Sequence, residues 1–445
     1  MKDWRDEYQR KTISADEAAQ LVKSGDYVVF TMGREAFALG LAIAARKEEL
    51  KDVQVYCAAP GYDFGWYDEG WQDSFKVTIA MVTATSQEAV DAKRVELNPG
   101  VVLGTPRGFM DVGAALEKQP DVVLTEISPP DERGFCSFGQ SLWDKKRTIK
   151  QGKLVIAEVN QNLIRTYGDN YIHTSEIDYF VEHISTGGAP GTGTLAGRVK
   201  KEPEPYLKDI AGYVNGLIKD GDTIQIGVGR TTEPLVRLGM LEGKCDIGYH
   251  SEATPSGIIS LVREGVITGK CKTVNPGKVV VTSLGGGTRE EMEWASENPL
   301  FWLVDVDYLE DVRVISAHDN YIAINNALAI DLNGQIDAET IGTRPMGGAG
   351  GQPSFVMGAL LSKGGRSVTL LPSTAAGGKV SRIMSLLPEG SSVTVTRQFV
   401  DYVITEYGVV RLWGKSLRQR ARDLISIAHP DFRAELTKAA KEMFG

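Results

Sequence analysis

The stretch Tyr249–Gly257, "YHSEATPSG", holds one carboxylate, Glu252, between a serine and a run of small residues. Acid–base chemistry with carboxylates usually needs two of them, and metal chemistry needs a cluster; this segment has neither. Its surroundings suggest a position instead. Apolar residues before Glu252 read as a strand. Thr254 suits a helix N-cap, Pro255 suits the first helical position, and "SGIISLVREG" continues at helical spacing. That pattern predicts Glu252 at the C-terminal end of a strand and beside the positive end of a helix. Ligands of open α/β sheets bind there, and the helix dipole favours an ionised carboxylate. A glutamate that only meets a helix start or pairs with an arginine fits the same residues.

A second candidate is "RPMGGAGGQPSFVMGALLSKGGRSV", residues 344–368, with Gly347, Gly348, Gly350 and Gly351 close together. Without Cβ atoms, backbone N–H groups can approach an oxyanion or a polar chain closely. A plain surface loop would have the same composition, but the apolar "PSFVMGALL" that follows anchors the loop on a packed element.

Other motifs carry less. "GVGR" at Gly227–Arg230 follows the strand-like "DTIQI" but has Thr232 where a dinucleotide fingerprint needs its third glycine. It reads better as a turn whose amides face a ligand. "HSE" at 250–252 lacks the P-C-x-x-C partner of a zinc deaminase, and "GKS" at 414–416 lacks the upstream glycine of a P-loop. There is no G-x-S-x-G elbow, and the five histidines show no metal-ligand spacing. No metal is expected.

The elements that must position these residues are duplicated. "KSGDYVVFTMGR" (23–34) and "KDGDTIQIGVGR" (219–230) share Lys, Gly, Asp, Gly and Arg at a constant offset. Each follows a helical stretch and leads to a second short strand, "KDVQVYCAAP" in one copy and "KCDIGYHSEATP" in the other. "DERGFCS" (131–137) echoes "DLNGQID" (331–337). Short apolar runs alternating with helical periodicity predict an α/β fold of two tandem domains with mostly parallel sheets. The segment 185–206, rich in Gly, Pro and charge, reads as a linker, so the expected domains are 1–200 and 201–445. Aligning the second strands by their shared aspartate sets Ala58 against Glu252. One copy keeps a carboxylate and the other has a methyl group, as in a duplicated scaffold with one active centre.

Bulk properties narrow the classes. With 445 residues two domains are the default, and 42% hydrophobic with 24% charged residues is ordinary for a globular protein. A net charge of -9 argues against nucleic acid as a partner. The charged N-terminus has no secretory h-region, and no eighteen apolar residues run together, so neither a signal nor a membrane span is expected. Cys57, Cys136, Cys245 and Cys271 lie far apart and read as buried free thiols of a cytoplasmic protein.

These residues resemble the class I CoA-transferases, in particular the acetyl-CoA hydrolase and 4-hydroxybutyrate CoA-transferase branch. The resemblance rests on "HSEATPSGIISLVREGVITGKCKTVNPGKVV", "IAINNALAIDLNGQIDAETIG", "GGAGGQPSFVMGA", "LLPSTAAGGKVSRI", "VITEYGVVRLWGKSLRQRA" and "IAHPDFR", with "NPGVVLGTPRG" and "GDNYIHTSEIDYFVE" in the first half. It implies a CoA-transferase in which Glu252 attacks an acyl-CoA thioester, passing through an acyl-glutamyl anhydride and a glutamyl-CoA thioester. No tightly bound cofactor is implied, and coenzyme A is a substrate. The resemblance further implies the Val228 amide and an amide within Gly347, Gly348, Gly350 and Gly351 as oxyanion donors. It points to Lys379, Ser381 and Arg382 for CoA, to short-chain acyl-CoA and carboxylate substrates, and to a homodimer. An acyl-CoA hydrolase using the same glutamate, and a CoA-binding regulator without catalysis, are the alternatives. One departure stands out: relatives commonly carry asparagine in the turn after "DY", and "DYLEDVRVI" has Glu310 near that position.

Overall fold

The computed structural model describes residues 4–99, 118–184 and 202–445. "NPGVVLGTPRG" falls largely, and most of the expected linker falls, outside them. The chain divides into two compact units. One gathers the described residues up to 184 together with Thr282–Asp307; the other gathers 202–281 and Tyr308–Gly445. Both are α/β, with mostly parallel sheets.

In the first unit the strands are β1 (Tyr27–Phe30), β2 (Val53–Cys57), β3 (Phe75–Ile79), β4 (Glu96–Leu97), β5 (Val122–Ile127), β6 (Leu154–Val159) and β7 (Tyr179–Glu182). They form one sheet in the order β7-β6-β5-β1-β2-β3-β4, parallel throughout. Central strands such as "YVVF" and "VVLTEI" are buried along their whole length, as a parallel sheet covered on both faces requires.

The second unit repeats the plan with β8 (Thr223–Ile226), β9 (Gly248–Ala253), β10 (Val279–Ser283), β11 (Tyr321–Asn326), β12 (Arg366–Leu370), β13 (Tyr402–Thr405) and β14 (Gly408–Arg411). Their order is β14-β13-β12-β11-β8-β9-β10. β8 lies between β9 and β11 and is parallel to both, as β1 lies between β2 and β5. Only the terminal hairpin β13–β14 is antiparallel among the pairs so described.

The repeat is structural down to single hydrogen bonds. Asp26 accepts the Lys23 N–H at 2.7 Å, and Asp222 accepts the Lys219 N–H at 2.7 Å. Gly25 and Gly221 have φ of 81° and 77°, the left-handed region that glycine enters without a Cβ penalty. The echo between Asp131 and Asp331 is a shared tight turn: each accepts a glycine N–H three residues on, from Gly134 at 3.0 Å and Gly334 at 2.8 Å. In both copies the aspartate side chain also accepts the N–H four residues on.

A buried ion pair further locks the second unit. Arg366, at the start of β12, donates to the Leu217 carbonyl at 2.7 Å and pairs with the buried Asp222. It thereby ties the C-terminus of α1 (Leu207–Leu217) to the start of β8. Removing one member of a buried pair strands the other. Arg366→Ala is therefore expected to cost about 3–5 kcal/mol. A lowered urea midpoint of unfolding checks this.

The cysteine expectation is corrected in part. Cys57 and Cys136 are buried, whereas Cys245 and Cys271 are exposed because they flank turns at the edge of the second unit. No helix among the described residues is long and apolar enough to cross a membrane.

Candidate active site

Glu252 is the penultimate residue of β9, at its C-terminal end as the sequence predicts. Regular pairing of β8 with β9 stops at Ile224 and Tyr249. Beyond it the Ser251 hydroxyl takes over, accepting the Ile226 N–H at 3.3 Å and donating to the Ile226 carbonyl at 3.2 Å. This frees the backbone around Glu252 from the ladder without leaving Ile226 unsatisfied. Two phenols fix the strand end: Tyr249 donates to the Ala253 carbonyl at 2.8 Å, and Tyr321 on β11 donates to the His250 carbonyl at 2.6 Å.

The helix expected at Pro255 begins later. α2 spans Ile258–Arg263, its N-cap is Gly257, and Gly257 has a φ of 99°. A left-handed residue at 257 cannot lie inside a right-handed helix, so the chain turns over Pro255–Ile258, where the Ile258 N–H meets the Pro255 carbonyl at 3.3 Å, before α2 continues. The short α2 is therefore not the source of positive potential at Glu252.

That source is the glycine loop. α3 (Gln352–Leu361) starts at the N-cap Gly351, with Pro353 in its first turn. The Gly351 N–H donates a hydrogen bond to the Glu252 carboxylate. A helix N-terminus thus meets the carboxylate, supplied by a segment a hundred residues away in sequence. α3 packs on the helix Val312–Ser316 through Gly358, where a Cβ would lie 2.4 Å from Ile315 Cγ2. That close approach brings Gly351 against Glu310: a Cβ on Gly351 would lie 2.8 Å from the Glu310 Cδ and Oε1 atoms.

Glu310 is fully buried and its carboxyl group hydrogen-bonds Glu252. The segment carrying it is held by His250, whose Nε2 lies 2.8 Å from the Leu309 carbonyl. The Glu252 pKa is raised above the ordinary carboxylate value by burial, while the hydrogen bonds from Glu310 and Gly351 oppose the rise. Burial likewise raises the Tyr249 and Tyr321 phenols and keeps them neutral. Behind His250, burial lowers His318 to about 4 and Lys272 to about 7.

Val228 follows β8 in the turn "GVGR". Both glycines around it are explained by close approach: a Cβ on Gly227 would lie 2.6 Å from Asn325 Oδ1, and one on Gly229 would lie 2.3 Å from Asn326 Oδ1. Asn325 is itself held by Gln225 through paired amide hydrogen bonds of 3.0 and 3.1 Å. Gly350 has a φ of 52°, which suits glycine, whereas Gly347 faces open space apart from the Ala338 carbonyl at 3.9 Å; Gly348 precedes them in the same loop.

The expected CoA contacts lie in and beside the hairpin Thr374–Ala375 and Val380–Ser381. Lys379 is exposed near its tip. Ser381 donates to the Ile383 carbonyl at 2.7 Å, and Arg382 donates to the Thr374 and Leu328 carbonyls at 3.2 and 2.9 Å. The latter two are engaged in holding the hairpin. Tyr249, Tyr321 and His250 were not singled out from the sequence. For Tyr249 and His250 the signal is the alternation along β9 that sends Tyr249 and Ser251 to one face and His250 and Glu252 to the other; Tyr321, on β11, carries none.

In the first unit the equivalent strand end is closed. Ala58 stands at the Glu252 position, is buried, and its carbonyl accepts N–H groups from Ala80 at 3.0 Å and Met81 at 2.8 Å. At this position of the strand only the second copy has a carboxylate.

Comparison with known proteins follows the same division. Residues 1–186 match the model of the acetyl-CoA hydrolase/transferase N-terminal domain, and residues 287–440 match that of the acetyl-CoA hydrolase/transferase C-terminal domain. The 4-hydroxybutyrate coenzyme A transferase of Clostridium kluyveri is 38% identical over 447 residues, covering 99% of this chain and 100% of that protein. Among solved structures, RipA from Yersinia pestis superposes with a TM-score of 0.87 at 32% identity, covering 99% of both chains. A 4-hydroxybutyrate CoA-transferase from Porphyromonas gingivalis superposes with a TM-score of 0.78 at 30% identity, covering 99% of this chain and 100% of that one.

Proposed function

The chain belongs to the acetyl-CoA hydrolase/transferase family, and from that premise we propose that it is a CoA-transferase exchanging CoA between a short-chain acyl-CoA and a carboxylic acid, with Glu252 as the nucleophile. The observation that carries this reading is the carboxylate at a strand end, held by the Gly351 amide and by Glu310. A carboxylate so held can attack a carbonyl without a general base, because its ionised form is already the nucleophile.

In the first step a Glu252 oxygen bonds to the thioester carbon, the C–S bond breaks, and the CoA thiolate leaves behind an acyl-glutamyl anhydride. The thiolate then attacks the glutamyl carbonyl, the donor carboxylate departs, and CoA is joined to Glu252 as a thioester. An acceptor carboxylate runs both steps in reverse and leaves as its own CoA ester. Negative charge develops on the carbonyl oxygen in each tetrahedral intermediate, and one preorganised donor is worth about 3–4 kcal/mol. The Val228 amide and an amide of the Gly347–Gly350 stretch are the proposed donors, since the Gly351 amide is engaged by the nucleophile itself. Lys379 is the proposed contact for CoA phosphates; Ser381 and Arg382 support the hairpin that carries it.

The relatives from Clostridium kluyveri and Porphyromonas gingivalis are both named for 4-hydroxybutyrate, which makes that acid the first acceptor to test. Acetyl-, butyryl- and succinyl-CoA are the donors to pair with it. The homodimer that the resemblance implies and the cytoplasmic location expected from the cysteines belong to the same reading.

Incubation with acyl-CoA alone is expected to leave CoA on the peptide containing Glu252, visible by mass spectrometry and trapped by borohydride with loss of turnover. The donor acid should then be released only to the level of enzyme, without free CoA, until a second carboxylate is added. Steady release of CoA without acceptor would make the protein a hydrolase through the same glutamate. Binding of CoA with neither release nor adduct would reduce it to a regulator.

A further inference from the structure

Two carboxyl groups in direct hydrogen-bond contact must share a proton, because two carboxylate anions offer only acceptors and repel each other. Glu252 and Glu310 are in that contact. Their surroundings differ in a way that decides which group carries the proton. Glu252 receives the Gly351 N–H, which favours its anion, and is less enclosed than Glu310. Glu310 has no exposed surface, and its carboxyl carbon and one oxygen lie against the Gly351 backbone. An enclosed carboxyl group is the one that stays neutral.

We propose that Glu310 is the protonated positioning residue of the active site, donating its O–H to one oxygen of Glu252 so that the other oxygen is aimed at the incoming thioester carbon. The assignment rests on Glu252 being the nucleophile and adds a residue that acts through it. No proton is transferred to substrate. Glu310 keeps its hydrogen through the cycle, holding the anionic Glu252 before attack and again when the acceptor acid has been converted and Glu252 regenerated. The device also limits the chemistry. A second anion at 310 would push the Glu252 carboxylate out of register with the Gly351 N–H, whereas a neutral donor of the same shape would not.

The titratable and charged groups around the pair are Tyr321 on β11 and the Gly351 N–H at the start of α3, with Tyr249 on the other face of β9, His250 with His318 and Lys272 behind it, and the Asp311–Arg313 pair following Glu310 in the chain. Burial holds Lys272 down to about 7 and His318 down to about 4. Comparing variants with the wild-type protein at one pH cancels both.

The test uses the full chain. Glu310→Gln replaces the acid with a neutral amide that can donate the same bond, and Glu310→Ala removes the donor. Turnover of Glu310→Gln should stay within about 5-fold of wild type, while Glu310→Ala should lose about 100-fold in kcat, the usual cost of misplacing a reacting group by about 1 Å. KM for acyl-CoA should change little in either, since neither touches CoA. Independently of turnover, infrared difference spectra of the unliganded wild-type protein minus Glu310→Gln at neutral pH should show the C=O stretch of a protonated carboxyl group. The absence of that band overturns the proposal, as does Glu310→Ala turning over like wild type. Should Glu310→Ala fail to fold, the infrared difference decides. Failure of the nucleophile reading is seen separately, as the absence of CoA on the Glu252 peptide in the wild-type protein, and leaves the infrared result unaffected.

Discussion

Glu252→Gln is expected to abolish CoA transfer, by more than about 10⁴-fold, because loss of the atom that forms the covalent intermediate is the most damaging single change such a site can suffer. The amide keeps the shape of the side chain and an oxygen to accept the Gly351 N–H. Loss of activity in a folded protein of unchanged CoA affinity would therefore assign the defect to nucleophilicity. Glu252→Asp separates chemistry from placement. Its carboxylate remains ionised but is drawn back by one methylene, and a retreat of about 1 Å is expected to cost on the order of 100-fold in kcat. Its adduct should still form, slowly, on the same peptide. The pH dependence has a definite sign. Only the anion attacks, and burial raises the Glu252 pKa above the ordinary value of 4.5. The acid limb of kcat/KM for acyl-CoA should accordingly lie above pH 4.5, activity falling as pH drops through it. Wild-type rates for Glu252→Asp, or labelled CoA on a different residue, would sink the assignment.

Much of this arrangement is legible in the sequence because duplication writes it twice. The turns before β1 and β8 depend on a glycine at positive φ and an aspartate that accepts a nearby N–H, so both residues recur at a fixed spacing. The same spacing exposes the one place where the copies differ chemically, Ala58 against Glu252. Local chemistry fails one step later. Thr254 and Pro255 have the right types for a helix start, but Gly257 adopts a left-handed conformation and delays α2, a choice made by tertiary packing against Val236 and Arg237 that no local pattern displays. The helix end that serves Glu252 comes instead from Gly351, which the sequence marks only as a glycine-rich stretch. What joins them is Gly358 nestling against Ile315, a contact between segments some forty residues apart. Glu310 stands out in the sequence only against the pattern that the family resemblance implies, and its partnership with Glu252 depends on that same packing. Ser381 and Arg382, expected as CoA contacts, show that polar residues can carry structural bonds that the sequence does not display. Their donors are used by backbone carbonyls that a hairpin leaves exposed to them.

Gly351→Ala is expected to lower kcat by about 100-fold, through displacement of the groups that hold the nucleophile. Backbone conformation is not the reason, since Gly351 has a φ of −78°, which alanine adopts freely. The obstacle is space. The new methyl would lie 2.7 Å from Phe355 Cε2 and 2.8 Å from the Glu310 Cδ and Oε1 atoms. Phe355 is fully buried within α3 and Glu310 is fully buried beneath Glu252, so neither can yield without moving its neighbours. Whichever gives way, Glu252 loses the Gly351 N–H or the Glu310 carboxyl group as a partner. Overpacking of this kind also costs about 1–3 kcal/mol of stability, so the variant should melt earlier than wild type while remaining folded. Gly212→Ala in α1 supplies the control. A Cβ there meets nothing within 4 Å, and replacing a glycine inside a helix should add about 0.5–1 kcal/mol with no change in turnover. The decisive measurement is the single-turnover rate of CoA adduct formation. A rate for Gly351→Ala within 3-fold of wild type, set against roughly 100-fold expected, would mean that the N-terminus of α3 does not hold the nucleophile.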